Sequence, residues 1–367
     1  MADAIRIGFV GVGQIAQSHL RNYQKVSGAK VVAATDVNAA ALDKVAAEFN
    51  IPSKYTDFHE MLKRDDIDAV DVCLHNNLHA PVTIAALNAG KHVYCEKPMA
   101  GSYIDAETML KTARKRKKNL HIQLSTLYSK ESRVAKTLID NGRLGNIYHA
   151  RSTGHRRRGR PFVDGYGTAS FVQKEVAAGG ALYDMGVYHI AQLLYLMGNP
   201  KIERVSGKTY QETALDPARA KRSGYNVEEL GLGFVRFAGG LTLDIIEAWA
   251  VHMNAFEGSS IFGSQGGVRL APFGFFTTVE DLATDSTVDM DGALYRWANV
   301  KEVGDVYDSS QHHWIAALQN RVELLPTAEI ALNTMLISEA IYMSEKLGRE
   351  VTAAEVKKGS VSTAKKL

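Results

Sequence analysis

Ile5-Arg6-Ile7-Gly8-Phe9-Val10-Gly11-Val12-Gly13-Gln14-Ile15-Ala16 stands near the start of the chain and sets what kind of sheet follows. An apolar run, Ile5–Val10, meets a Gly-x-Gly-x-x-Ala turn and then a segment, Ile15–Val26, with Ala16, Leu20 and Tyr23 at helical spacing. That order is the dinucleotide-binding fingerprint in its alanine variant. Gly11 allows the tight turn, and Gly13 lets the backbone approach a pyrophosphate. Ala16 permits close helix–strand packing, and the helix start offers N–H groups to the phosphates. Gln14 and Ile15 supply the first of those N–H groups. Asp36 closes the next β-branched run, Lys30–Thr35, about twenty residues past Gly13, where a carboxylate accepts bonds from ribose hydroxyls and repels a 2′-phosphate. The expected cofactor is therefore NAD rather than NADP.

Strands and helices go on alternating outward from this turn. Asn38–Phe49 carries Leu42, Val45, Ala46 and Phe49 on one face. Ala69–Leu74 is a strand, and Ala80–Asn88 is a helix with Pro81 at its start and Gly90 past its end. His92–Cys95 is a strand, Ser102 caps a helix, and His121–Leu124 is a strand. Alternation with near-continuous apolar strands predicts a parallel sheet covered on both faces. Beyond about residue 125 strand-like runs follow one another: Asn146–Thr153, Lys201–Thr213, Val227–Phe237, Leu241–Val251, Ser260–Gly263 and Val268–Ala271. The expected fold class is α/β, with a Rossmann NAD-binding domain over 1–125. A second α/β domain over 126–367, with an open, mostly antiparallel sheet, would bind substrate and form oligomer contacts. Its last helices could pack back on the first domain.

The chain has 367 residues, with 43 Lys+Arg against 40 Asp+Glu, 46% hydrophobic and 23% charged. That balance argues against nucleic acid as a partner and against disorder. No run is long and apolar enough to span a membrane, and no secretory leader is visible, so a cytoplasmic protein is expected. Cys73 and Cys95 sit in apolar runs and are expected to be buried thiols. No Cys/His spacing suggests a metal.

Glu96-Lys97-Pro98 follows the strand ending at Cys95. Carboxyl ends of parallel strands open onto the ligand crevice, so Lys97 is a candidate acid or anchor for a substrate hydroxyl, held by Glu96. The loop His155-Arg156-Arg157-Arg158-Gly159-Arg160 offers His155, Arg156 and Arg158 as substrate contacts through guanidinium forks.

With Asn76-Asn77-Leu78-His79, Ala89–Pro98, Gly142-Arg143-Leu144-Gly145, Ala178–Tyr188 and Glu339–Ser344 added to the glycine turn, the chain resembles the Gfo/Idh/MocA family of oxidoreductases over nearly its whole length. The resemblance implies a nicotinamide-linked enzyme acting on a ring hydroxyl or ketone of a sugar, glycoside or cyclitol. It also implies a C-terminal sheet used for oligomer contacts, here a homo-oligomer such as a dimer or tetramer. It places Lys97 at the family lysine and Leu74, His75, Asn76 and His79 in the cofactor loop, although Leu74-His75 stand where members usually have Thr-Pro. It makes Asp184-Met185-Gly186-Val187-Tyr188 the acid/base motif, with Asp184 orienting the substrate or Lys97. Tyr188 is followed by His189, and members use His or Tyr at that place. Helical geometry favours Tyr188, since Asp184, Tyr188 and Gln192 share a face while His189 lies on the apolar stripe. A tightly held cofactor recycled by a second sugar, a glycosidase working by oxidation and elimination, and a non-catalytic binder of NAD and sugar are the other readings.

Overall fold

The computed structural model describes residues 4–301 and 304–367. Six strands form the first sheet: β1 (Ile5–Val10), β2 (Ala29–Thr35), β3 (Ser53–Tyr55), β4 (Ala69–Val72), β5 (His92–Cys95) and β6 (Leu120–Ile122). All neighbours run parallel, in the order β3-β2-β1-β4-β5-β6. This is the dinucleotide-binding order, with the strand direction of growth reversing between β1 and β4. The helices that cover it bury the stripes their sequences set out. Gln14–Tyr23 buries Ala16, Leu20 and Tyr23, and also His19. Ala39–Phe49 is capped by the Asn38 side chain, which accepts the Ala41 N–H, and Tyr103–Arg116 is capped by Ser102.

Nine strands form the second sheet: β7 (Ile147–His155), β8 (Ile202–Tyr210), β9 (Leu230–Phe237), β10 (Thr242–Ala248), β11 (Ser260–Gly263), β12 (Gly266–Leu270), β13 (Phe273–Val279), β14 (Leu282–Ser286) and β15 (Val351–Thr352). Their order is β14-β13-β12-β11-β7-β10-β9-β8-β15. Only β7 and β10 pair in parallel; the other neighbours are antiparallel. One face packs on the helices Val187–Leu196 and Thr327–Leu347.

Three differences from the sequence expectation have physical reasons. The hairpin β13–β14 went unpredicted because neither strand has a regularly buried face, and Val279 and Leu282 at its tip are exposed. The helix Met290–Asn299 buries no residue and so shows no core stripe. The helical segment that carries Asp184, Tyr188 and Gln192 begins with a π turn, Leu182–Gly186, before the regular helix Val187–Leu196.

The helix Ser310–Leu318 lies on the first sheet, with Trp314 and Ile315 in the same core as Ile7, Phe9 and Tyr23. Trp314 is thus packing, as core burial of a large aromatic favours. Cys73 and Cys95 are free and buried. Among the described residues no helix is long and apolar enough to cross a membrane.

Candidate active site

The glycine turn joins β1 to the helix Gln14–Tyr23 at the carboxyl edge of the first sheet. Gly11 has φ +91°, and a Cβ there would run into the Cys73 carbonyl oxygen. A Cβ on Gly13 would stand in open space, with nothing of the chain within 4 Å. Gly13 caps the helix with no side-chain bond, so the first N–H groups of Gln14 and Ile15 face outward unclaimed by a cap. Asp36 ends β2 beside them: Oδ2 accepts the Val12 N–H at 2.9 Å and Oδ1 the Asn38 N–H at 2.9 Å. Val37 next to it is 92% exposed and Ile15 41%, two apolar side chains set where an adenosine would need flat contacts. An open anion cradle, a ribose-reading carboxylate and exposed apolar flanks fit NAD.

Across the sheet switch point, Lys97 leaves the end of β5. Its Nζ donates to the Asp184 carbonyl oxygen at 2.9 Å and to Asp184 Oδ1 at 3.0 Å, and stands 4.7 Å from the centre of the Tyr188 ring. The π turn explains how one residue accepts twice. Its looser backbone turns the Asp184 carbonyl and carboxylate toward the same ammonium. Asp184 Oδ2 accepts the Trp249 indole N–H at 3.0 Å and faces Arg156 Nη1 at 3.4 Å. Arg156 also donates to the Tyr166 hydroxyl at 2.6 Å. The Tyr188 hydroxyl donates to Gln123 Oε1 at 3.2 Å, just past β6.

Charge follows from these contacts. Burial works against the Lys97 ammonium, but Asp184, Tyr188 and Glu96 hold its proton affinity above the ordinary lysine value. Burial raises and Lys97 lowers the pKa of Asp184, and the net effect keeps the carboxyl below its usual range. Burial pushes the Tyr188 phenol up to about 12, and the Lys97 cation offsets only part of that. His189 is held by β10: its Nδ1 bonds Glu247 Oε2 at 2.9 Å, and Glu247 is buried and also accepts the Ser152 hydroxyl. Burial lowers the proton affinity of His189, but Glu247 raises it further, to a net value above normal. Gln192, expected on the Asp184–Tyr188 face, instead donates to Ser132 at 2.7 Å.

The remaining candidate residues divide. His79 is buried with its ring between the Pro98 and Leu74 carbonyls, at 2.7 and 3.0 Å, and so pins the Lys97-Pro98 turn to the loop before Asn76. The Asn76 amide donates to the Ala177 carbonyl, tying the same loop to the second half of the chain. His75 caps no helix by its side chain; its ring meets Phe171 edge-on, and burial lowers its pKa. Leu74 packs under the turn at Gly11. Of the arginine loop only Arg156 reaches Asp184. His155 is held by the Met253 carbonyl and Phe256, and Arg158 is exposed. Arg160 is wholly buried in bonds to Asp164 and Glu229.

Sequence reasoning missed Gln123, Tyr166, Glu247 and His19. Gln123 had a signal, a polar residue directly after an apolar parallel strand. Beneath the site, His19, Asp71 and Cys73 form the one group among the described residues whose possible metal-ligating atoms lie within 4.8 Å of one another.

A Rossmann sheet of this order, with such a titratable cluster at its switch point, defines a nicotinamide-linked oxidoreductase. The chain belongs to the GFO/IDH/MocA family: the family model described as "Oxidoreductase family, NAD-binding Rossmann fold" matches residues 5–124, and the GFO/IDH/MocA C-terminal domain matches residues 132–269. It is 27% identical over 365 residues to the D-glucoside 3-dehydrogenase of Escherichia coli, covering 95% of this chain and 98% of that one. An inositol 2-dehydrogenase of Salmonella typhimurium is 37% identical over 147 residues, 38% of this chain and 43% of the relative. The solved levoglucosan dehydrogenase in complex with NADH has the same fold, with TM-score 0.80 at 20% identity over 96% of this chain and 99% of that one.

Proposed function

We propose that this protein moves hydride between NAD and a ring hydroxyl or ketone of a sugar, glycoside or cyclitol. The observation that carries the reading is the convergence of Lys97, Asp184 and Tyr188 at the crevice end of β5. The full-length likeness to a glucoside dehydrogenase supports a glycoside among these classes. When bound, the nicotinamide supplies the hydride acceptor or donor.

The chain's own residues then do three things. Gly11, Gly13, Gln14, Ile15 and Asp36 hold the cofactor, with the loop from Leu74 to His79 behind it. The Lys97 ammonium, aimed by Asp184, anchors the reacting oxygen and stabilises negative charge on it. The Tyr188 phenol, steadied by Gln123, gives a proton to that oxygen when a ketone is reduced and takes one when an alcohol is oxidised. Arg156 and Tyr166 border the group and contact the rest of the sugar ring. Titrating a panel of sugars, methyl glycosides and inositols with NAD, and following absorbance at 340 nm, tests the reading. Reduction of NAD by at least one ring polyol is expected, and tight binding of such ligands without any turnover would replace the dehydrogenase with a sensor.

A further inference from the structure

His19 leaves the cofactor-turn helix and reaches under the carboxyl ends of β4 and β5, where it is buried. Its Nδ1 faces the Asp71 carboxylate at 3.0 and 3.2 Å, and its Nε2 faces Glu96 Oε1 at 2.8 Å. Asp71 and Glu96 are buried as well. A neutral imidazole has one N–H and one lone pair, so one nitrogen would point a lone pair at a carboxylate. With carboxylates at both ends, the arrangement is satisfied when both nitrogens carry protons. The other oxygen of Glu96 accepts the Lys97 main-chain N–H at 3.0 Å. A continuous chain of contacts therefore runs from Asp71 in β4 through His19, on the helix that bears the pyrophosphate cradle, to Glu96, Lys97 and Asp184.

We propose that His19 is a positioning residue of the proton-transfer site: an imidazolium clamped between Asp71 and Glu96 that fixes the carboxylate holding Lys97 and lends the cleft a buried positive charge. The proposal rests on the reading of Lys97 and Tyr188 given above. The groups facing His19 are Asp71 and Cys73 from the β4 side, Glu96 and Tyr94 from the β5 side, and Tyr23 on its own helix. Those facing Tyr188 are Lys97, Asp184 and Glu96, with His19 behind them. Burial opposes charge on the His19 ring, but the Asp71 carboxylate at its Nδ1 raises its proton affinity above the ordinary value, while burial keeps the neighbouring Cys73 a neutral thiol. Burial also disfavours a Glu96 anion, and the bond from His19 reverses that, keeping it ionised. Without the imidazolium, two buried carboxylates lose their counter-charge, and every proton acceptor in the cleft holds its proton more tightly.

The test has two arms. Histidine-selective ¹⁵N NMR on the whole protein, with the His19 signals assigned by their loss in His19→Gln, should show both ring nitrogens protonated at pH 8. A ring with either nitrogen unprotonated, as a neutral tautomer or a metal ligand would have, overturns the proposal. In the second arm, His19→Gln should lower kcat for polyol oxidation by about tenfold and leave KM for NAD within about twofold. The pH at which kcat rises should move up by about one unit. His19→Gln/Glu96→Gln, which also removes the negative charge left beside Lys97, should bring it back toward the parent position. A folded His19→Gln enzyme with its pH limb unmoved would mean a structural role only. Should His19→Gln not fold, the NMR arm decides, with the His19 ring assigned by through-bond correlation to its own backbone amide. Normal turnover in Lys97→Ala or Tyr188→Phe would remove the underlying reading, whereas the protonation state of His19 judges this proposal by itself.

Discussion

Lys97 and Tyr188 share one environment and one sign of charge regulation. Both hold their protons through the neutral range, Lys97 because of Asp184 and Tyr188 because of burial. The resting cleft is thus charged with proton donors, the state suited to protonating an alkoxide. Oxidation of an alcohol needs the deprotonated phenol, whose fraction grows as pH climbs toward about 12. Initial rates of oxidation should therefore rise steadily from pH 7 to 10 while ketone reduction stays level, and a falling oxidation rate over that range would count against Tyr188 as the base. Lys97→Ala should cut turnover by about 10²-fold or more. It should shift Tm by only about 5 °C at most, because Asp184 keeps Trp249 and Arg156 as partners. Tyr188→Phe should remove most turnover and spare NAD binding. His189→Ala should instead cost stability, about 1–3 kcal/mol, by leaving the buried Glu247 without its ionic partner. An inactive, well-folded His189→Ala beside an active Tyr188→Phe would exchange the two roles. Lys97 was legible in the sequence because it follows a parallel strand. His189 was legible only as a member of an apolar stripe: its partner Glu247 lies fifty-eight residues on, in β10, and no local spacing reports that pairing.

At the scale of elements, the βα turn was the most legible part of the chain. Its glycines, the helix stripe and Asp36 are all set by local backbone needs. The π turn at Leu182–Gly186 was not, since a single inserted residue leaves helical composition unchanged while it redirects the carbonyl and carboxylate of Asp184. The same holds for the arginine loop, where four like residues take separate fates: Arg156 beside Asp184, Arg160 buried against Glu229, and Arg157 and Arg158 exposed. Asp36 serves two ends here, bonding the Val12 and Asn38 N–H groups while presenting its carboxylate beside the open cradle. Its loss should weaken NAD by about 10–100-fold, the worth of hydrogen bonds to a charged acceptor. NADP, whose 2′-phosphate the carboxylate repels, should weaken less. Isothermal titration of Asp36→Ala with each dinucleotide checks this, and equal loss for both would remove Asp36 as the discriminating residue.

For the whole molecule, the second sheet poses a problem of unburied surface. Its inner face packs on Val187–Leu196 and Thr327–Leu347, but the outer face carries a shallow groove of about 680 Å³ lined by Leu232, Phe234, Ile246 and Phe256. Tyr148 and Phe262 are exposed on the strands beside it. Contiguous apolar surface of this kind on a sheet marks an association face. A closed homo-oligomer is the economical solution, because a two-fold axis lets one patch cover itself. The groove also carries the Arg151–Asp244 ion pair, so it presents both signs of charge. We propose that the protein is a homo-oligomer joined through this face. Phe234→Glu would set a buried charge at the joint, at a position remote from Lys97 and the cofactor turn, and should shift the mass measured by light scattering to the monomer. NAD binding should survive in that variant, since the Rossmann sheet keeps its own core. A parent protein that is monomeric at micromolar concentration, or a Phe234→Glu variant of unchanged mass, would leave the open face without this role.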